Sequence, residues 1–338
     1  MSSQDAAAQG EQANLWKERG RTLMQQINEL IDSGAGELAH PVELELFELF
    51  RRHSALRDAA NTAYMIACHH QAVQDFAGAI TAFSDARNAY VELADADGLA
   101  VADRGIALMH ASEKRWDQAV RALHESAAQL MQLGATERAA GAHLSAAAFR
   151  MVGEQYIDAE PELDTTDRLL SIALAFGGGG GSGGGGEHET LTFVSAITRA
   201  RLAVLMREAQ PAEAALQRAQ DAAAQDLAFQ AFVDDQRAQL ALLQEDIPLY
   251  ISALEQAAAR FQAAGELQLA AVELARLGLA LEQRGDHDRA QRTLRQSANL
   301  HPNPRPSGSA AARVTPYLIV ADIELDHGTL VRLAQLRS

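Results

Sequence analysis

Lysine is nearly absent from this chain: of 29 basic residues only Lys17 and Lys114 are lysines. No Gly-Lys-Ser/Thr phosphate loop can therefore be written, and lysine Schiff-base chemistry has two unpromising candidates. Cysteine occurs once, at Cys68. That excludes an internal disulfide framework and any multi-cysteine zinc or iron–sulfur site, and it fits a reducing compartment. Aromatic residues make up 5% and prolines number 8, too few β-formers to favour sheets. No stretch approaches the roughly 18 consecutive apolar residues of a membrane span, and residues 1–20 lack a basic segment followed by an apolar core. A cytoplasmic protein without membrane insertion is expected. With 29 basic against 45 acidic side chains the net charge is −16, which repels a phosphate backbone, so nucleic acid is not an expected partner.

What is abundant is alanine, leucine, glutamine, glutamate and arginine, a composition that favours helix. An all-α fold follows. Self-similarity recurs at a step of 40 residues. The aromatic falls at Phe76, Trp116 and Tyr156, and an alanine follows at Ala79, Ala119 and Ala159. Downstream, Asp246-Ile247, Asp286-His287 and Asp326-His327 repeat at the same step. Each unit reads as two helices. In the clearest, Ala270, Leu274, Leu277 and Leu281 form an i, i+4, i+7, i+11 stripe that Gly285 ends. Asp286 stands where an N-cap belongs, and Ala290, Leu294 and Ser297 carry a second helix toward Pro302.

Leu274, Leu277-Gly278, Leu281, Ala290, Leu294, Ser297 and Pro302 fall at the spacing of the tetratricopeptide repeat, which this region resembles. The resemblance implies an α-solenoid of stacked antiparallel helical hairpins, a superhelix, with Gly278 and Ala290 letting the paired helices approach closely and Ser297 packing under the next repeat. The same small set recurs at Ala67, Ala79, Ala86 and at Ala107, Ala119, Ser126. Tyr250 and Leu330 replace the small residue in two units, and Pro161 is expected to delay or distort the second helix of another. A 40-residue step implies longer helices than the family usually has.

Seven hairpins are predicted, over 56–94, 97–134, 136–175, 190–224, 226–263, 265–299 and 314–337, with Gly98, Gly134 and Gly265 as breakers. Upstream, 13–33 and 41–53 make a divergent capping pair after a disordered tail over 1–12, and Trp16 and Gly20 stand at the spacing of a first tetratricopeptide helix. Thr315-Pro316 reads as N-cap and N1 of a last helix. The ten residues from Gly177 to Gly186, broken only by Ser182, read as a flexible linker between repeats 1–3 and repeats 4–7, replacing a natural loop.

Side chains that invite chemistry have plainer readings. His69 and His70 are neighbours on a helix and diverge by about 100°. His70 and His110 share a repeat position where a packing histidine is ordinary. No His-Glu-x-x-His occurs, so no metal and no cofactor is expected. Gly180-Gly181-Ser182-Gly183-Gly184 matches a nucleophile elbow only as part of the glycine run, and Cys68 on a helix is a small packing residue. An enzyme is not expected. Acidic groups such as Glu43, Glu45, Glu48 and Asp234-Asp235 read as solvated faces, and Leu46-Phe47 with Leu49-Phe50 as packing under the first hairpin.

The resemblance implies a groove lined by first-helix positions. Transferring the offsets selects Asn61, Tyr64, Cys68 and Gln71, then Arg104 and Leu108, and beyond the glycine run Phe232, Asp235 and Gln239. Such a mixed surface suits an internal peptide segment or a protein partner, and the expected function is that of a scaffold or adaptor. The alternative is a peptide- or ligand-responsive bacterial regulator, although no helix-turn-helix output module is evident.

Overall fold

The computed structural model describes residues 3–175 and 184–300. Every element among them is helical: α1 Ser3–Asp32, a short 3-10 turn at Gly36–Leu38, α2 His40–Arg52, α3 Leu56–Ala72, α4 Phe76–Glu92, α5 Ala96–Ser112, α6 Trp116–Gln132, α7 Thr136–Val152, α8 Tyr156–Ala175, α9 Gly184–Leu205, α10 Ala209–Ala223, α11 Leu227–Leu243, α12 Ile247–Ala263, α13 Leu267–Gln283 and α14 His287–Leu300. Consecutive helices pack on one another from α1 to α6 and from α8 to α14, in the manner of the expected α-solenoid. The tail expected to be disordered over 1–12 is helical from Ser3. The hairpin at 314–337, Asp326 and most of the glycine run lie outside the described residues.

The long step has a simple origin. Helices α3 to α7 and α11 to α13 each hold 17 residues, and three-residue turns separate consecutive members. Two such modules make one 40-residue repeat. Each start is fixed by an aspartate where the sequence provides one: Asp75 accepts from the Gly78 amide, Asp95 from Gly98 and Asp246 from Leu249, all at 3.0 Å. Asp286 accepts from the Arg289 amide at 3.4 Å, in the expected N-cap role. Gly98 is therefore no breaker. It lies in the first turn of α5, and a Cβ there would come within 2.3 Å of the Tyr90 ring.

The turns end helices by a left-handed residue: φ is +74° at Gly134, +79° at Gly265 and +84° at Gly285, but also +60° at Gln74 and Glu245 and +59° at Lys114. At the last of these the Arg115 amide donates to the His110 carbonyl at 2.9 Å and the Lys114 amide to Ala111 at 2.8 Å, the double closure of a Schellman turn. A side chain in that conformation costs about 1–2 kcal/mol, and glycine's greater freedom when unfolded returns part of it. Lys114→Gly should therefore raise unfolding free energy by about 0.5–1 kcal/mol, read as a higher denaturant midpoint at unchanged slope.

The chain forms two compact units, Met1–Ala142 and His143–Ser338. Their boundary lies inside α7, not at the glycine run. The reason is that α9 packs on α8 across that run: Arg199 donates to Asp164 and Asp167, each at 3.0 Å. Pro161 neither delays nor interrupts α8, which begins at Tyr156 in register with its counterparts.

In the first unit the capping pair buries Leu23, Ile27, Leu46 and Phe50, with Phe47 and Leu49 packed against that cluster. Trp16 stacks on His53 at 4.9 Å and meets Phe50 edge-on, so the apolar stripe of α2 is core, as expected. A second cluster gathers Ile66, Ala67, Ala79, Phe83, Ile106 and Met109. In the second unit Ile251, Leu254, Leu274, Leu277, Leu281 and Ala290 form the corresponding core. The small positions inferred from the repeat, Ala67, Ala79, Ala86, Ala107, Ala119 and Ser126, are all buried. Ser297 is buried too, but its hydroxyl donates to the Ala271 carbonyl at 2.6 Å, tying α14 back to α13 of its own hairpin.

Candidate functional site

The first helices of the two hairpins in the first unit, α3 and α5, present the same register positions. Asn61, Tyr64 and Cys68 on α3 correspond, one repeat on, to Val101, Arg104 and Leu108 on α5. Asn61 and Cys68 are exposed, Tyr64, Gln71 and Arg104 half-buried, and Leu108 is 42% exposed. An open cleft of about 780 Å³ lies against this face, lined among others by Arg57, Asn61, Tyr64, Tyr90 and Val101. The size is within the range of ligand pockets, while the openness suits an extended chain better than a small molecule.

Polar groups in the cleft are fixed in place. The Tyr90 hydroxyl donates to Asn61 Oδ1 at 2.9 Å, holding the end of α4 against α3. Arg57 donates to Asp95 at 2.6 Å. The Asp95 carboxyl is lowered mainly by the Gly98 amide hydrogen bond, with Arg57 adding to it, so it stays ionised. Tyr64 meets Phe83 edge-on at 5.4 Å, which makes it partly a core residue. Burial pushes its hydroxyl up from the ordinary value. Tyr64 also shares a side-chain hydrogen bond with Cys68, whose thiol is raised in turn by burial. A thiol held protonated is a poor nucleophile, although Cys68 is exposed and not the packed small residue its helical pattern suggests.

Tyr90, Arg57 and Val101 escape the sequence reading for different reasons. Val101 carries a detectable signal, since it repeats the position of Asn61. Tyr90 comes from a second helix and Arg57 from the first turn of α3, where the family offsets do not look.

The second unit departs from expectation. Phe232 and Asp235 are each 4% exposed, and Gln239 is half-buried. Phe232 packs edge-on against Phe261 at 5.1 Å. Asp235 accepts from Arg276 at 2.6 Å, and Arg276 also donates to both oxygens of Glu273, at 3.1 and 3.0 Å. Asp234 is equally buried, held by Arg260 and by Arg237 at 3.3 Å. The pair read as a solvated acidic face is thus an internal ion network. Its logic is repetitive: Arg201 of α9, Asp235 of α11 and Arg276 of α13 place alternating charges on successive first helices, and Arg201, lowered by its burial, feels the opposing charge of Asp235. Paired burial of this kind neutralises the surface on which a ligand charge would act.

No helix among the described residues is long and apolar enough to cross a membrane. No family model and no curated protein matches this chain. Among solved structures it is similar to the apo form of RapI, with a TM-score of 0.50 at 12% identity over 85% of this chain and 96% of that one. It also aligns with a Rap protein complexed with Competence and Sporulation Factor, with a TM-score of 0.43 at 15% identity over 84% of this chain and 73% of that one. At this identity the likeness to RapI is one of fold: a long array of helical hairpins.

Proposed function

We propose that this protein is a non-catalytic recognition module that binds an extended peptide segment, free or within a protein partner, along the α3/α5 face of its first unit. One observation carries the reading. The cleft over Asn61, Tyr64 and Val101 is continuous in register with Arg104 and the exposed Leu108, so apolar, hydrogen-bonding and cationic groups stand on one face at helical spacing. Tyrosine and arginine are the side chains most enriched among binding anchors. The buried charges of the second unit, by contrast, are satisfied internally.

The test is binding of a random extended-peptide library displayed against the full chain, followed by fluorescence anisotropy with the selected peptide. Arg104→Glu and Leu108→Glu should each weaken that peptide by about tenfold or more, with the helical circular dichroism signal and melting midpoint unchanged. Selected peptides that bind both variants as tightly as the parent chain would place the site elsewhere. Small-angle scattering of the complex separates the two forms of the reading: a compaction on peptide binding favours a ligand-responsive regulator, and an unchanged radius of gyration favours a scaffold.

A further inference from the structure

Glu43 of α2 is 4% exposed, although its sequence neighbourhood reads as a solvated acidic face, and its Oε2 makes no hydrogen bond. A carboxylate oxygen taken out of water without a donor is costly and calls for a cation. Two imidazoles surround it. His40, one turn earlier on α2, places Nδ1 at 3.6 Å from that oxygen, and His69, in the last turn of α3, places Nδ1 at 4.0 Å. His40 Nδ1 is also buried without a hydrogen bond. The three donor atoms all lie within 4.8 Å of one another, and the two rings lie side by side at 4.8 Å, tilted by 18°.

We propose that His40, Glu43 and His69 form a binding site for a divalent transition-metal ion, zinc by its donor set, with water completing a tetrahedron. Two imidazoles and one carboxylate are the ligands that Zn²⁺ accepts, whereas Ca²⁺ and Mg²⁺ take oxygen alone. Bonds of about 2.0–2.1 Å in a tetrahedron put donors about 3.4 Å apart. The observed 3.6 and 4.0 Å separations close to that by small side-chain rotations. An ion pair with a protonated imidazole would show a hydrogen bond to Glu43 Oε2, and none is made. His70 takes a different part. Its Nδ1 meets Asp75 at 2.8 Å while its ring stands edge-on to His40. The divergence of His69 and His70 is thus real. The second imidazole comes instead from α2, far away in sequence. All the groups belong to the first unit, and the ion would clamp the N-terminal turn of α2 to the last turn of α3, locking the cap onto the first hairpin.

The full chain, prepared without a histidine tag and stripped with a chelator, is titrated with cobalt(II) chloride. The expected result is tetrahedral d–d absorption that zinc sulfate displaces and a melting midpoint raised by several degrees on zinc addition. Glu43→Gln and His69→Ala should lose the cobalt spectrum and weaken zinc binding by at least about 100-fold, beyond what losing an outer-shell partner gives. His287→Ala serves as an unrelated control and should behave as the parent chain does. Glu43→Gln preserves shape, so its helical circular dichroism keeps the test valid even if His69→Ala fails to fold. An absent cobalt spectrum in the parent chain, or one that survives in Glu43→Gln, would overturn the site.

Discussion

Replacing Arg276 by alanine should cost the second unit about 3–5 kcal/mol of stability, the penalty for leaving the buried Asp235 carboxylate without its cation and the buried Glu273 carboxyl without its donor. Arg276 reaches both Asp235 and Glu273, at 2.6 and about 3 Å, and those two carboxyl groups are 4% and 0% exposed. Burial alone would weaken its protonation. The charges of Glu273 and Asp235 more than reverse that, and the guanidinium is held charged. Burial, aided by the charge of Asp235, pushes the Glu273 carboxyl up to about 8 against the pull of Arg276. The folded chain therefore keeps a proton on Glu273 between about pH 4.5 and 8 that the unfolded chain has released. Stability from this group is full below that window and falls as pH rises through it, by up to about 1.4 kcal/mol per pH unit. Glu273→Gln, a neutral mimic, should be tolerated at pH 6 and should flatten that fall. Denaturation midpoints of the parent chain and both variants at pH 5.5, 7 and 8.5 check the claim. An Arg276→Ala variant within about 1 kcal/mol of the parent would mean that water reaches the network.

How much of this was legible beforehand depends on range. The hairpin architecture is carried by local signals: the aromatic at helix position one in Phe76, Trp116 and Tyr156, the aspartate caps, and the alanines where helices meet. Each is decided within one turn or one helix pair, so periodicity recovers it. The glycine run and Gly98 mislead because flexibility was equated with a boundary; α8 and α9 pack across the run, and Gly98 serves a close approach to Tyr90. The candidate site divides the same way. Asn61, Tyr64 and Leu108 follow from register. Phe232 and Asp235 do not: Phe232 packs against Phe261 of the paired helix, Asp235 is bound by an arginine on the next hairpin, and nothing in the local pattern of α11 announces Arg276. Glu43 is misread for the same reason: its burial is imposed by α3, not by the polar residues beside it in α2.

At Gly278 a substitution tests whether the small positions of the repeat act by close helix approach. A Cβ built there would sit 2.6 Å from Leu294 Cγ and 3.4 Å from the Ala290 carbonyl, inside the contact between α13 and α14. Leu294 is itself 2% exposed, with no free space to turn into. Two effects therefore oppose each other in Gly278→Ala. Helix propensity favours alanine by about 1 kcal/mol. Overpacking at a branch carbon, which cannot swing aside as a chain end could, costs about 1–3 kcal/mol, so the net change should lie at about 0–2 kcal/mol on the destabilising side. Gly278→Val adds two methyl groups beyond the Cβ of alanine and loses most of the propensity gain, and it should cost about 3 kcal/mol or more. Leu294→Ala alone should cost about 2–5 kcal/mol by opening a cavity. Combined with Gly278→Ala, it supplies the space that the new methyl needs. The pair should therefore be less destabilised than the sum of the single changes, with a coupling of at least about 1 kcal/mol between them. Urea unfolding of the four chains gives that coupling directly. Strict additivity would show that α13 and α14 separate to admit the methyl, and that glycine at this position reflects something other than the distance between the helices.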